Sequence, residues 1–411
     1  MKLSIIVTSY NVAPYIRDCL GDLVQQDVQD YEVIAVDDGS TDGTQSTIQE
    51  YADRYSFVRP VFLTENSIGG VATAANVGLD KAIGEYIAFA DGDDRYDKQM
   101  FSKLLKAAVK HDSDLAICDY YVLNDKTGKL TEPADEKRWK GLKSKDYIEL
   151  NLEGTKNILR FISVPWRKIY RKELLDENSL RFPVGDYFYE DNPFHWFTVV
   201  KANSIACVSE KLCRHRVNRV GQTMATVDAR LFKMFEHHRT IYEWLLKQGL
   251  VDRYAEALLG WLLAQVQWIS RKCPPDLIDE LFDAASVNVR LYSHNSLRKT
   301  ILEYKIGEHG CYLAVALQDG NRKRFSSLLL GTAKFNILQE AYYRFRMFGA
   351  KYVLKEGKEL VKNKVLSVPL RLPKFSKVQP VTVDPKLLEK LSADLDEIKI
   401  GITILERKVD R

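Results

Sequence analysis

Short apolar segments alternate with helix-like segments over residues 1–120, and this alternation limits the possible folds more than any other feature. The apolar segments predict strands at 3–8, 32–36, 58–63, 85–90 and 114–119. The intervening segments predict helices at 13–26, 44–55, 71–83 and 98–111. Strands this apolar need cover on both faces, so the pattern predicts an α/β fold with a mostly parallel sheet and helices on both sides.

Polar side chains follow three of these strands at the point where each strand ends. Ser9 and Tyr10 follow the first strand, Asp37 and Asp38 follow the second, and an acidic run that begins at Asp91 follows the fourth. Ligands of such sheets bind at the carboxyl ends of the strands. We therefore expect these residues to face one crevice, which explains the pattern better than three accidental turns.

The acidic run contains Asp91, Asp93 and Asp94 within four residues. Carboxylates this close together repel one another unless a cation neutralises them, and their hard oxygen atoms suit Mg²⁺ or Mn²⁺. A divalent cation held there can also stabilise a departing diphosphate. An acidic turn without a metal is the alternative interpretation.

Composition narrows the class of protein. A chain of 411 residues with 45% hydrophobic and 28% charged residues predicts two or three soluble globular domains. Its six cysteines are scattered without metal-binding spacing, which favours a reducing compartment and no zinc site. The first strand begins at once, so no signal peptide is predicted, and no apolar stretch is long enough for a bilayer. We therefore expect a cytoplasmic protein.

Six segments, in this order, resemble the motifs of glycosyltransferase family 2. They are SIIVTSYN at 4–11, VDDGSTDGT at 36–44, Asn66 and Gly69 with NVG at 76–78, GEYIAFADGDD at 84–94, PWRKIY at 165–170 and YEDN at 189–192. The resemblance covers residues 1–225 and implies a Rossmann-like GT-A fold. It also implies an inverting enzyme that moves a sugar from a nucleotide donor, UDP-linked by expectation, to a glycan or lipid-linked acceptor. Assembly of bacterial surface polysaccharide, such as capsule or cell wall polymer, is the implied setting.

Other functions fit the sequence less well. A dinucleotide oxidoreductase needs Gly-x-Gly-x-x-Gly after the first strand, where this chain has Thr8, Ser9 and Tyr10, and the P-loop motif is absent. The remaining alternative is a catalytically silent glycan-binding scaffold with a glycosyltransferase fold.

The resemblance assigns roles to individual residues. One of Asp37 and Asp38, which we expect to be Asp38, accepts the imide N–H of uracil. Capping of the following helix by Ser40, Thr41 or Asp42 is the alternative for this turn, and both can hold. Asp91 contacts the ribose or the metal, and Asp93 ligates the metal, Mn²⁺ or Mg²⁺. The full set expected at the nucleotide-sugar is Ser9, Tyr10, Asp37, Asp38, Asn66, Asn76, Asp91, Lys168, Arg214 and Arg216.

The motif at 189–192 is the expected source of the catalytic base. Displacement at an anomeric carbon needs a base that accepts the proton of the acceptor hydroxyl. The resemblance points to Asp191, with Glu190 as its neighbour and a ligand of the acceptor; capping of the next helix is the alternative for Asp191. A basic loop follows, in which His215 either ligates the metal or only forms a hydrogen bond. Which of Arg214, Arg216 and Arg219 faces the diphosphate stays open, as does whether Trp166 faces a sugar or the core.

We expect four regions in the chain. They are a GT-A domain at 1–225, a helical domain at 226–320, a basic amphipathic segment and linker at 321–383, and a coiled-coil helix at 384–411. The last region repeats apolar residues at alternating spacings of three and four, which favours a homo-oligomer, either dimer or trimer. The repeat consists of Leu388, Leu391, Leu395, Ile398, Ile402, Leu405 and Val409. A single helix packed on its own domain is the alternative.

Residues 322–377 hold fourteen lysines and arginines against three glutamates, a net charge of +11 in a chain whose total is +4. Basic helices with aromatic residues lie on anionic membranes, so we expect peripheral contact with the inner face of the cell membrane. Nucleic acid is not an expected partner because no recognition motif accompanies the charge. A solvated helical face is the other interpretation.

Overall fold

The computed structural model describes residues 1–142, 144–185, 188–219, 229–349 and 352. The chain divides into two compact units, Met1–Trp261 and Leu262–Arg411, and the boundary falls within one helix. The first unit is built on a ten-stranded sheet, and the described part of the second unit is helical.

The strands of the sheet follow the order β3-β2-β1-β4-β9-β6-β10-β5, with β7 paired to β6 and β8 paired to β10. Their bounds are β1 Leu3–Ser9, β2 Tyr31–Asp37, β3 Val58–Phe62, β4 Tyr86–Asp91, β5 Arg95–Tyr96, β6 Leu115–Asn124, β7 Leu130–Thr131, β8 Tyr147–Glu149, β9 Lys168–Arg171 and β10 Ser204–Val217.

The helices that begin in the first unit are α1 Ala13–Leu23, α2 Thr44–Arg54, α3 Val71–Lys81, α4 Met100–Lys110, α5 Glu136–Lys140, α6 Leu152–Ile158, α7 Lys172–Glu177, α8 Asp191–Lys201, α9 Lys233–Lys247 and α10 Val251–Ser270. Short 3₁₀ helices occur at Pro165–Arg167, Ala229–Phe232 and Pro275–Leu277.

Strands β3, β2, β1 and β4 form the parallel half of the sheet. Their apolar residues alternate between two covered faces, which is why Ile5, Ile6 and Val7 are all fully buried. The register pairs Ser9 with Asp37 and Thr8 with Asp91, so the polar ends of three strands lie side by side. The predicted α/β sheet and its shared polar edge are confirmed.

The other half of the sheet is mixed. Strand β9 runs antiparallel to both β4 and β6, and β6 pairs in parallel with the long strand β10. Register shifts between Val208 and Cys213 mark a bulge in β10 before it reaches the polar edge. Among the described strands, β5, β7, β8 and β9 run antiparallel to their partners and the other six share one direction, so the sheet is mostly parallel, as the sequence predicts.

The second unit contains helices α11 Ile278–Val289, α12 His294–Glu303, α13 Glu308–Gln318, α14 Arg322–Leu329 and α15 Ile337–Phe348. The segment expected to be a basic membrane-facing surface begins with α14 and α15, and its apolar face is buried within this unit. Tyr343, Phe345 and Met347 are at most 5% exposed, and Arg346 pairs with Asp319. The expectation of membrane contact therefore loses its support over 322–348.

The predicted coiled coil at 384–411 and most of the basic linker lie outside the described residues. Among the residues that the structure describes, no helix is both long enough and apolar enough to cross a membrane.

Candidate active site

Asp37 is fully buried, and its carboxylate is fully hydrogen-bonded by Ser40 of its own loop, by Ser9 and by Gln45. Oδ1 accepts from the Ser40 amide and from Gln45 Nε2, each at 2.8 Å. Oδ2 accepts from Ser9 Oγ at 2.9 Å and from Ser40 Oγ at 2.6 Å. The side chains of Asp37 and Ser9 therefore hold the crevice loops together, and both oxygens of Asp37 already accept two hydrogen bonds each, which leaves no lone pair for a base.

Asp38 is also buried, at 2% exposed, but its carboxylate is hydrogen-bonded differently from that of Asp37. Its Oδ1 accepts from the Ser67 amide at 3.1 Å, whereas its buried Oδ2 has no hydrogen-bond partner within the described part of the chain. Burial raises the pKa of Asp38, with Asp37 acting in the same direction. A buried, unpaired acceptor is unfavourable unless a ligand supplies a donor. Asp38 is thus the aspartate with an atom available for a nucleobase.

Gly39 brings the segment after β3 against Asp38. Its φ is +73°, and a Cβ there would lie 2.4 Å from the backbone of Glu65, so only glycine fits. Asn66 is exposed beside this contact, and Tyr10 is 45% exposed. The structure therefore leaves Tyr10 and Asn66 accessible on the two loops that flank Asp38.

The acidic motif after β4 forms a cluster with one residue of β10. Ligand atoms of Asp91, Asp94 and His215 all lie within 4.8 Å of one another. His215 Nδ1 is 2.9 Å from Asp94 Oδ2, and the ring stacks on Trp166 with centroids 4.9 Å apart. Burial alone would lower the pKa of His215, but Asp94, Asp91 and Asp93 outweigh it and raise the pKa to about 9.

This cluster suits a small divalent cation. Two carboxylates and an imidazole are ligands that Mn²⁺ accepts, and carboxylates also suit Mg²⁺. Burial, then the nearby Asp94 and Asp93, raises the pKa of Asp91 well above its ordinary value, so the protein alone compensates this charge poorly. The residues present therefore fit the cation that the sequence predicts.

Asp93, expected to ligate the metal, pairs instead with Arg219 in this structure. The guanidinium of Arg216, expected at the diphosphate, pairs with Asp125 at 2.6 Å and donates to the Asp93 carbonyl at 2.7 Å. Arg214 is exposed on β10. Asp94, which was not among the expected metal ligands, lies in the cation cluster with Asp91 and His215.

Glu190 and Asp191 lie at the start of α8, where Glu190 is the N-cap residue. Burial raises the pKa of Asp191 to about 6, although Lys168 acts in the opposite direction. Burial likewise raises the pKa of Glu190 to about 8, and Asp191 adds to this effect. Asp191 also contributes to the raised pKa of Asp91, so the expected base lies within electrostatic reach of the cation cluster.

Two expected donor-binding residues are used internally. Both ends of the Asn76 amide bond the backbone of Phe182, with Nδ2 donating to its carbonyl at 2.8 Å and Oδ1 accepting from its amide at 3.0 Å. Lys168 is fully buried and donates to the carbonyls of Ser163 and Val164. In this structure, therefore, Asn76 anchors the chain that leads to Glu190, and Lys168 does not face the crevice.

Tyr96 and Asp135 support the site without a signal in the sequence, whereas for Trp166 the sequence leaves a sugar-facing and a core position open. The Tyr96 hydroxyl accepts from the Asp91 amide at 2.7 Å, which fixes the start of the acidic motif. A buried ion pair of Arg167 with Asp135, at 2.6 Å, supports the 3₁₀ turn before β9. Trp166 is 2% exposed and packs edge-on against Tyr120, so it is a core residue.

Comparison with known proteins identifies the family. Residues 4–178 match the family described as "Glycosyl transferase family 2". The uncharacterised glycosyltransferase EpsJ of Bacillus subtilis is 32% identical over 53% of this chain, and the match spans 61% of that protein's length. The cholesterol galactosyltransferase of Borreliella burgdorferi is 30% identical over 66% of this chain and 75% of its own length. The chain belongs to glycosyl transferase family 2.

A solved structure agrees with the fold. The crystal structure of Staphylococcus aureus TarS 1-349 in complex with UDP-GlcNAc matches 80% of this chain and 91% of its own, with a TM-score of 0.67 and 22% identity. The TarS sequence carries the name poly(ribitol-phosphate) beta-N-acetylglucosaminyltransferase and is 28% identical over 64% of this chain and 44% of its length. This similarity supports the GT-A-like architecture of the first unit and extends into the helical region.

Proposed function

We propose that this chain is an inverting, metal-dependent glycosyltransferase that transfers a sugar from a UDP-sugar to a glycan or lipid-linked acceptor of a bacterial surface polymer. The donor class draws on the UDP-GlcNAc complex of TarS and on the free carboxylate oxygen of Asp38. The acceptor class draws on the name of TarS, which acts on a poly(ribitol-phosphate).

The observation that supports this function most is the cluster of Asp91, Asp94 and His215, whose ligand atoms lie within 4.8 Å of one another at the polar edge of the sheet. Asp191 adds a small contribution to the raised pKa of Asp91. Asp91 belongs to the cation cluster, and Asp191 is a partly buried carboxylate whose pKa lies near 6. An inverting transferase needs both groups in one crevice, because the base and the leaving diphosphate act on the same anomeric carbon.

The proposed reaction is a single displacement. Asp191 accepts the proton of the acceptor hydroxyl while the oxygen of that hydroxyl bonds to the anomeric carbon and the bond from that carbon to the diphosphate breaks. With a pKa of about 6, Asp191 is ionised at neutral pH and still basic enough to take the proton. A divalent cation held by Asp91, Asp94 and His215, with Asp93 nearby, would offset the negative charge that develops on the departing diphosphate.

Glu190 has a different proposed role. Its pKa of about 8 leaves it protonated at neutral pH, so it acts as a hydrogen-bond donor rather than as a second base. We assign it to a hydroxyl or ring oxygen of the acceptor. Asp38 would accept the uracil imide N–H, and the exposed Tyr10 and Asn66 would border the nucleotide.

The remaining proposals concern location and assembly. A UDP-sugar donor places the reaction in the cytoplasm, with the basic residues after 352 holding the protein at the inner face of the membrane. The heptad repeat at 384–411 would join copies of the chain. Both rest on sequence outside the described residues.

The test is release of UDP from a panel of UDP-sugars with Mn²⁺, with and without a chelator. The function predicts release from one or a few donors, abolished by the chelator and by Asp91→Asn. Asp53→Asn, which removes an exposed carboxylate at the end of α2, is the matched control and should retain full activity. Tight UDP-sugar binding without any release would instead favour the silent glycan-binding scaffold.

A further inference from the structure

Arg216 contacts the acidic motif through both its backbone and its side chain. Its amide donates to Asp94 Oδ1 at 2.7 Å, and its Nε donates to the Asp93 carbonyl at 2.7 Å. Because the carboxylates of this motif repel one another, hydrogen-bond donors of this kind stabilise the loop that carries them. The position of Arg216 therefore affects where Asp93 and Asp94 lie.

Asp125 holds the guanidinium of Arg216. It directly follows β6, and its Oδ1 accepts from Arg216 Nη1 at 2.6 Å. Its amide donates to the Val217 carbonyl at 2.9 Å, which fixes the Asp125 backbone against the end of β10. Because both its backbone and its carboxylate are bonded to β10, Asp125 gives the Arg216 side chain one defined position.

Tyr15 of α1 contacts both partners of this ion pair. Its hydroxyl donates to Asp125 Oδ2 at 3.0 Å, and the Arg216 guanidinium lies over its ring, 4.5 Å from the centroid. An exposed ion pair contributes little, in part because two mobile side chains must be ordered to form it. Here the side chains of Arg216 and Asp125 are only 11% and 23% exposed, and Tyr15 orders both. The three residues therefore form a constrained unit and not an ordinary surface ion pair.

We propose that Asp125 is a positioning residue for the cation cluster: it orients Arg216, which in turn holds Asp93 and Asp94 in place. Tyr15 supports Asp125 through its hydroxyl and Arg216 through its ring. This inference rests on the cation site of the proposed function. Asp125 and Tyr15 both lie outside the sequence motifs that the family resemblance uses.

The inference predicts a change in metal affinity. Replacing a residue that orients the ligands of a metal typically weakens metal binding by about ten- to a hundredfold. Asp125→Ala should therefore weaken Mn²⁺ binding by about tenfold in an electron paramagnetic resonance titration of the full chain. Tyr15→Phe keeps the ring under Arg216 and removes only the hydroxyl, so it should weaken binding by a smaller factor.

Asp176→Ala is the matched control, because it also replaces an ion-paired aspartate by alanine and changes the net charge equally. Asp176 pairs with Lys172 on α7, which begins directly after β9. Arg171 at the end of β9 pairs with Tyr86 at the start of β4, so α7 begins at the edge of the sheet opposite to the acidic motif. This variant should bind Mn²⁺ as tightly as the wild type does.

A second readout does not depend on metal. The Nε–H of Arg216 donates to the Asp93 carbonyl, so its NMR cross-peak should be protected from exchange with water in the metal-free wild type. Its loss in Arg216→Lys assigns this cross-peak. The cross-peak should disappear through exchange in Asp125→Ala and persist in Asp176→Ala.

The outcomes separate this inference from the proposed function. An unchanged cross-peak or an unchanged Mn²⁺ affinity in folded Asp125→Ala would overturn the inference, and Tyr15→Phe gives the same comparison if Asp125→Ala does not fold. Failure of the wild type to bind Mn²⁺ would contradict the cation site of the proposed function. The cross-peak would then still decide whether Asp125 positions Arg216.

Discussion

Asp37 and Asp38 are adjacent, buried and chemically identical, yet the structure predicts opposite consequences when each is changed to alanine. Asp37 accepts four hydrogen bonds from Ser9, Ser40 and Gln45. Asp38 accepts one from the Ser67 amide and keeps a buried oxygen without a partner in the described part of the chain. Asp37→Ala should therefore lower stability, and Asp38→Ala should lower UDP affinity.

The number of hydrogen bonds that each substitution removes sets the expected change in unfolding free energy and in UDP affinity. A net contribution of about 1 kcal/mol for each of four hydrogen bonds gives a loss of about 3 to 4 kcal/mol for Asp37→Ala, once the partly exposed partners are discounted. Asp38→Ala removes one bond and relieves a buried charge, so its unfolding free energy should change by less than about 1 kcal/mol. A hydrogen bond from uracil to a charged acceptor is worth about 1.5 to 3 kcal/mol, which weakens UDP binding by about ten- to a hundredfold.

Urea unfolding and titration calorimetry with UDP measure the two quantities in the same pair of variants. The expected result is a lowered unfolding midpoint for Asp37→Ala and a weakened Kd with an unchanged midpoint for Asp38→Ala. An Asp38→Ala protein that binds UDP as tightly as the wild type would refute the assignment of its free oxygen to the nucleobase.

Three further predictions concern the base, the cation cluster and the scaffold. The kcat/KM for transfer should fall as pH drops through about 6, because protonated Asp191 cannot accept a proton; a midpoint near 4 would contradict its raised pKa. Asp94→Asn and His215→Ala should each weaken Mn²⁺ binding about tenfold or more in an electron paramagnetic resonance titration, and unchanged binding would remove the cluster as the cation site. Arg167→Ala should lower the unfolding free energy by about 3 to 5 kcal/mol in urea, because it leaves Asp135 buried and unpaired. A loss below about 1 kcal/mol would contradict that account.

The parallel half of the sheet was predictable because its strands are continuous apolar runs. The segments expected at 3–8 and 85–90 appear as β1 Leu3–Ser9 and β4 Tyr86–Asp91. Their polar ends meet because parallel strands share one edge, and that edge is visible in the sequence as Asp37 and Asp91 after apolar residues.

Pairings over long sequence distances were not predictable. No pattern in the sequence around β10 indicates that this strand places His215 beside Asp94, which is 121 residues away in sequence. The burial of Lys168 was equally hidden, because β9 is four residues long and its environment comes from loops distant in sequence. Local sequence patterns predict which carboxylates lie at strand ends. Tertiary contacts decide which of those carboxylates keep an oxygen available to bind a ligand.

The most direct test of the central claim separates donor binding from chemistry in Asp191→Asn. The account predicts that this variant binds the UDP-sugar with the wild-type Kd in calorimetry, while acceptor-stimulated UDP release falls by a factor of about 10² to 10⁴. Acceptor-stimulated release at the wild-type rate in Asp191→Asn would contradict the account, because the base would then be another group.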